Sequence, residues 1–243
     1  MAEITILIPC KNEAPRLPDL LERLDRVVID ADLDCETIVL DDASDDDTVG
    51  VAMDLQRKCK ALNIRIIRRF ETRRGYGALI RYGLAYARGR YCLLMAADGA
   101  HPIESLPAYV AAARKGAHLV QCSRYETEED STDIPQRFRL YQAVYRLLVR
   151  LLLGWDIRDP TCSFKLVDRI FLLAIGIGQN STAVVPEITL KVWMAGGEVV
   201  FIPGRQSFRE RGISQFRFLR EAMGYTYVLL RGCLHRRKVW PWF

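Results

Sequence analysis

Short, uninterrupted apolar runs alternate with longer helix-patterned segments along the first half of this chain. No other feature restricts the fold as much. The runs are Ile4–Cys10, Thr37–Leu40, Ile64–Ile67, Tyr91–Met95 and His118–Cys122, with helix-like stretches near residues 15–31, 46–61, 76–88 and 104–115. Strands that are apolar on both sides must be covered on both faces, which predicts an α/β fold with a mainly parallel sheet between helices. Ligands in such folds bind beyond the carboxyl ends of the strands. Here those ends read Pro9-Cys10-Lys11-Asn12-Glu13, Asp41-Asp42-Ala43-Ser44 and Ala97-Asp98. Polar and acidic residues at each exit mark a nucleotide pocket.

A chain of 243 residues suffices for one large domain with a short appendage. Half of its residues are hydrophobic and 27% are charged, a globular balance. The net charge of +5 is too modest to call for a nucleic-acid partner, so where the charges lie matters more than their sum. The seven cysteines form no CxxC pair, and several sit in apolar runs. That pattern fits buried free thiols in a reducing cytoplasm and not a zinc site. The first residues enter a strand-like run without a signal peptide, and no stretch reaches the roughly 18 apolar residues of a membrane span. The expectation is a cytoplasmic protein, not secreted, free in solution or lying on a surface.

The second half differs. Gln136 to Leu153 reads as a basic amphipathic helix. At about 100° per residue, Arg139, Gln142, Arg146 and Arg150 share one face, while Leu140, Val144, Leu147, Leu148, Leu151 and Leu152 cover the rest. It is either a domain helix with a solvated stripe or a helix in a membrane interface, arginines toward lipid phosphates and leucines toward acyl chains or core. Ser214 to Leu234 repeats the pattern and ends in His235-Arg236-Arg237-Lys238, then Val239-Trp240-Pro241-Trp242-Phe243. Basic residues beside tryptophan suit an anionic headgroup zone. Alone, the tail would serve equally as a packing arm or a dimer contact, which leaves a homo-oligomer open. Together the two segments favour a membrane surface. Residues 1–215 are expected to form the main domain and 216–243 an amphipathic helix with a basic, aromatic tail.

A set of motifs runs in order through residues 4 to 215. Ile8-Pro9-Cys10-Lys11-Asn12-Glu13 is followed by Leu40-Asp41-Asp42-Ala43-Ser44-Asp45-Asp46-Asp47-Thr48, then Arg74-Gly75-Tyr76-Gly77-Ala78 with Gly83, Ala87 and Gly89. Next come His101-Pro102, Gln121-Cys122-Ser123-Arg124-Tyr125, Asp159-Pro160-Thr161-Cys162-Ser163-Phe164-Lys165 and Arg209-Glu210-Arg211-Gly212-Ile213-Ser214-Gln215. The ordered set resembles family 2 glycosyltransferases of the GT-A fold, in their dolichyl- or polyprenyl-phosphate sugar synthase branch. The resemblance implies nucleotide contacts at Pro9, Asn12, Glu13, Asp41, Asp42, Arg74, Gly75 and Ala97. It implies a metal or sugar position at Asp98, an acceptor site at Ser123, Arg124, Arg137, Arg139 and Glu187, and Arg211 closing over the phosphates. Strand-exit carboxylates suit ribose hydroxyls or base N–H groups, although Asp41 and Asp42 would also serve as helix caps. Gly75 and Gly77 would let backbone approach a diphosphate beside Arg74. Arg124 would clamp an acceptor phosphate.

One loop departs from the family. Where the family holds its ion with two aspartates and a glutamine, this chain has Ala96, Asp98 and Ala100. Mg²⁺ or Mn²⁺ would keep one protein carboxylate, and Arg74, Lys165 or Arg211 would neutralise the donor diphosphate instead. The resulting expectation is an inverting glycosyltransferase of the hexosyl type. It would carry sugar from a nucleotide-sugar donor to a polyprenyl phosphate at the cytoplasmic membrane face. Two rivals stand beside it: transfer to a small soluble acceptor with Glu187 or Asp159 as base, and a degenerate relative that binds nucleotide or membrane without turnover.

Overall fold

The computed structural model describes residues 2–70, 75–126, 134–205 and 218–243; Arg74, Arg211 and Gln215 lie outside them. The elements follow the order β1 (Ile4–Cys10), α1 (Leu17–Asp30), β2 (Cys35–Asp41), α2 (Thr48–Lys58), β3 (Ile64–Arg68), α3 (Tyr76–Tyr86), β4 (Tyr91–Leu94), α4 (Leu106–Arg114) and β5 (Leu119–Ser123). Then come α5 (Gln136–Leu153), β6 (Lys165–Asp168), α6 (Arg169–Ile175), α7 (Val184–Met194), β7 (Val199–Pro203) and α8 (Phe218–Arg236). The sheet order is β3-β2-β1-β4-β6-β5-β7. β6 runs antiparallel to both neighbours and the other pairings are parallel. The parallel runs stand where the apolar pattern puts them; β6, α6, α7 and β7 are additions.

Alternate residues of β1 explain the two faces. Ile4, Ile6 and Ile8 point into one core with Leu17, Leu20, Leu21, Leu24 and Val28 of α1, Leu55 of α2 and Leu106, Tyr109 and Val110 of α4. Leu7 joins Ile38 and Leu40 of β2 in the other, under Leu79, Ile80 and Leu84 of α3 and Val184, Ile188 and Val192 of α7. The α1 stripe recurs at three- and four-residue steps, and each buried leucine stabilises the layer by about 1.5–3 kcal/mol. All seven cysteines are free and all but Cys233 are buried.

A third cluster adds an outer layer: Tyr145, Val149 and Leu153 of α5 meet Leu190 of α7 and Tyr225, Val228 and Leu229 of α8. This assigns the two faces of α5. Its protein-facing side is Gln142, Tyr145, Val149 and Leu153. The leucine-rich side is outward, with Leu140 and Leu151 exposing 65% and 70% and Val144, Leu147, Leu148 and Leu152 also exposed. Met223, Tyr227 and Leu230 of α8, with Val239, Trp240 and Phe243 beyond it, are exposed as well. No described helix is long and apolar enough to cross a membrane.

Candidate active site

The exits of β1 and β2 are knitted together. Asp42 N–H donates to Cys10 O at 2.9 Å, Asn12 N–H to Ser44 Oγ at 2.9 Å and Asp45 N–H to Asn12 Oδ1 at 2.8 Å. Both turns need a left-handed residue: Asn12 has φ 58° and Ala43 φ 52°. Asparagine tolerates that conformation; alanine carries strain of about 1–2 kcal/mol where glycine would carry none.

The aspartates at this exit hold arginines from the end of β3. Asp41 is fully buried, accepts from Ser44 N–H and pairs with Arg68 Nε at 3.1 Å. Asp42 accepts from Arg69 Nε at 3.0 Å and Nη2 at 2.6 Å. Asp41 is therefore an internal anchor, and neither residue caps α2, whose N-cap is Asp47. Pro9 and Glu13 stay partly exposed at the β1 exit, whereas Ala97 is buried.

Gly75 and Gly77 do approach backbone closely, but the backbone is the protein's own. A side chain at Gly77 would meet Gln179 O at 2.1 Å, and one at Gly75 would meet Asn180 O at 2.3 Å. The N–H groups of Gly77 and Ala78 already donate to Asn180 O at 2.9 and 3.3 Å. The start of α3 is thus capped from within by the Asn180 carbonyl.

At the β4 exit, Asp98 is partly exposed and its Oδ1 accepts from Ala100 N–H at 3.1 Å. His101 is buried, stacks on Phe164 and has Nε2 3.2 Å from Ser163 Oγ. Burial pushes its pKa down to about 4, so the ring is neutral at pH 7. Among the described residues, no group of three His, Cys, Asp or Glu side chains is placed to hold a metal ion. The residues do not form a resident metal site; a divalent cation fits only if the diphosphate and water supply its other oxygens. Nucleotide-free protein is accordingly expected to bind Mn²⁺ no tighter than about 1 mM, and Ala96→Asp to tighten it, as read by calorimetric titration.

At the β5 exit lies the densest polar network. Arg124 Nε donates to Asp159 Oδ2 at 2.7 Å, and Nη2 donates to Asp159 Oδ1 at 3.0 Å and Thr161 Oγ1 at 2.9 Å. Gln142 of α5 donates from Nε2 to Asp159 Oδ1 at 2.8 Å and accepts at Oε1 from Thr161 Oγ1 at 2.9 Å. Burial alone would depress the Arg124 pKa, but the Asp159 charge outweighs it and holds the guanidinium firmly protonated. Ser123 is fully buried and its hydroxyl finds no hydrogen-bond partner among the described residues. Arg137 and Arg139 are exposed on the first turns of α5.

Three further candidates are buried and paired. Glu187 is buried; its carboxylate accepts from Gly178 and Gln179 N–H at 2.9 and 2.8 Å and pairs with Lys191, so it ties down a loop. Asp159, the other base considered for a soluble acceptor, is sealed inside the arginine network. Lys165 is buried on Gln121 Oε1 and Thr189 Oγ1, with a pKa that burial pulls down to about 7. The Gln142 contact escaped the sequence reading, although Gln142, Tyr145, Val149 and Leu153 share a helical stripe. A glutamine inside such a stripe signals a buried polar partner.

Residues 5–176 match Glycosyl transferase family 2. The dolichyl-phosphate beta-glucosyltransferase of Drosophila melanogaster is 31% identical over 69% of this chain and 55% of its own length. The dolichol-phosphate mannosyltransferase of Pyrococcus furiosus is 27% identical over 94% of this chain and 64% of its own. The chain therefore spans between half and two thirds of these relatives. Among solved structures, glucosyl-3-phosphoglycerate synthase from Mycobacterium tuberculosis, in complex with Mn²⁺, UDP and phosphoglyceric acid, superposes with a TM-score of 0.70 at 19% identity. That match covers 97% of this chain and 78% of the synthase. The likeness establishes the GT-A fold. With more than half of its length matched, this chain belongs to glycosyl transferase family 2.

Proposed function

We propose that the protein moves a sugar from a nucleotide-sugar donor onto a polyprenyl phosphate while resting on the cytoplasmic face of a membrane. The observation that carries this reading is the outward leucine face of α5, on the helix whose inner side holds the Asp159–Arg124 pair. A surface that exposes apolar side chains beside Arg137, Arg139 and Arg150 suits acyl chains bordered by lipid phosphates. Similarity to dolichyl-phosphate glycosyltransferases supports the same acceptor class.

The lipid phosphate attacks the anomeric carbon in line with the departing nucleoside diphosphate. A bond forms from a phosphate oxygen to the anomeric carbon as the bond from that carbon to the diphosphate oxygen breaks, with inversion. A phosphate monoester is largely ionised at neutral pH, so the step needs no strong base. It therefore calls on neither Glu187 nor Asp159, both of which are buried and paired. Arg124 meets the acceptor phosphate, with Arg137 and Arg139 along its approach. Pro9, Asn12, Glu13 and Asp42 border the nucleotide, and Asp98 faces the donor's sugar and diphosphate. Arg74 and Arg211 are assigned to the phosphates from sequence. Mg²⁺ or Mn²⁺, entering with the diphosphate, would be met by Asp98 and would neutralise the leaving group.

The test supplies radiolabelled UDP-glucose or GDP-mannose with polyprenyl phosphate in anionic vesicles, or with phosphoglycerate in solution. The expected result is label extracted into organic solvent with one of the two donors. Label only in a water-soluble product would overturn the lipid acceptor, and no transfer from either donor would favour a degenerate relative.

A further inference from the structure

The outer face of α5 and the guanidinium of Arg124 belong to one connected unit. From Gln142, one amide end reaches Asp159 and the other Thr161, and both of those residues hold Arg124. One turn later, Arg146 Nε donates to Ile157 O at 3.0 Å, pinning the segment that leads to Asp159 against the same helix. Gly154, left-handed at φ 67°, turns the chain from the end of α5 directly into that segment. Asp159 is tied to α5 by covalent connection, by Arg146 and by Gln142, and to β5 by the Gln121 amide on its backbone carbonyl. On its other side, the helix presents leucines, arginines and no acidic residue.

We propose that Gln142 is a positioning residue that transmits the seating of α5 on an anionic lipid surface to Arg124, so that the grip on the acceptor phosphate tightens when the helix is docked. Lipid is the favoured occupant because apolar exposure on α5 and α8 is bordered by Arg137, Arg139, Arg150, Arg236, Arg237 and Lys238. The inference rests on Arg124 meeting the acceptor phosphate. Without lipid, α5 is held by its inner face alone, through Tyr145, Val149 and Leu153. Docking adds a second constraint, and the Gln142 amide passes it to the carboxylate that orients Arg124.

The experiment uses isopentenyl phosphate, too short to lodge in a bilayer, as the acceptor. Its KM is measured with and without phosphatidylglycerol–phosphatidylcholine vesicles that contain no isoprenyl phosphate. For the unaltered protein, vesicles are expected to lower the acceptor KM about tenfold while the donor KM stays constant. In Gln142→Met, which keeps the volume and removes both hydrogen bonds, the KM is expected to stay high whether or not vesicles are present, although the variant still co-sediments with them. A purely structural glutamine would instead change kcat and both KM values together and leave the vesicle effect in place, which would overturn the proposal. Should Gln142→Met fail to fold, Leu147→Ser/Leu151→Ser tests the same link from the solvent side: its KM is expected to ignore vesicles, and a retained vesicle effect overturns the coupling. If the protein glycosylates polyprenyl phosphate but vesicles leave its isopentenyl phosphate KM unchanged, the coupling alone is wrong. If it glycosylates no polyprenyl phosphate, the acceptor reading falls and takes the coupling with it.

Discussion

Replacing Asp159 by alanine is expected to lower stability by about 3–5 kcal/mol, because it strands a charge that cannot be shed. Asp159 is fully buried, and Arg124 keeps only 15% of its side chain exposed. The guanidinium cannot deprotonate, and without the carboxylate its two bonding edges face protein interior instead of water. Gln142 Nε2 and Thr161 N–H lose the same acceptor. For a chain of this length the loss corresponds to a fall in Tm of about 10 °C, which calorimetry would resolve. The double variant Arg124→Met/Asp159→Leu is expected to recover most of that loss, since it removes both charges and fills their space. A single variant as stable as the starting protein would mean that water reaches the pair freely.

Asp98→Asn is expected to do the opposite: to leave stability within about 1 kcal/mol and lower kcat by about 10²–10³-fold. The residue stands partly exposed after β4, and asparagine retains the Oδ1 that accepts from Ala100 N–H, so the turn survives. What disappears is the negative charge. Ala96 and Ala100 offer no oxygen nearby to replace it, so the loss falls on the donor side of the reaction. Initial rates at saturating donor and acceptor, set beside a thermal melt, separate the two effects. A full kcat in Asp98→Asn would move the donor's recognition away from this loop.

These two carboxylates illustrate how far the amino-acid sequence could be read. The β4 loop was legible because its meaning is local: Ala96, Asp98 and Ala100 occupy adjacent turns, and the missing ligands show as missing letters. Strands β1 to β5 were legible for a similar reason, being apolar runs bounded by turn residues. The strand β6 was not, because it is four residues long and starts with Lys165, which reads as solvent-facing until Gln121 and Thr189 are found around its amine. The edge strand β7 buries only part of each side chain and so carries little pattern. For α5, periodicity separated two faces but could not say which one meets protein. The leucines suited acyl chains or core alike; Tyr145 and Val149 take the inward side, packed on residues far along the chain in α7 and α8. Pairings such as Asp41 with Arg68 and Asp159 with Arg124 join separate strand exits. Their effect is to convert candidate ligands into anchors, which no local motif can reveal.

The position of β6 has a metric consequence. Because it lies between β4 and β5, the exits that carry Asp98 and Arg124 are two strand spacings apart, about 10 Å. As β6 runs the other way, the chain enters it between those exits through Ser163 and Phe164, and Phe164 turns into the core. Under the proposed function, a donor held at one exit and a phosphate held at the other would lie about one sugar ring apart. The sheet would then act as a gauge, its backbone ladder setting the distance between the leaving and attacking groups.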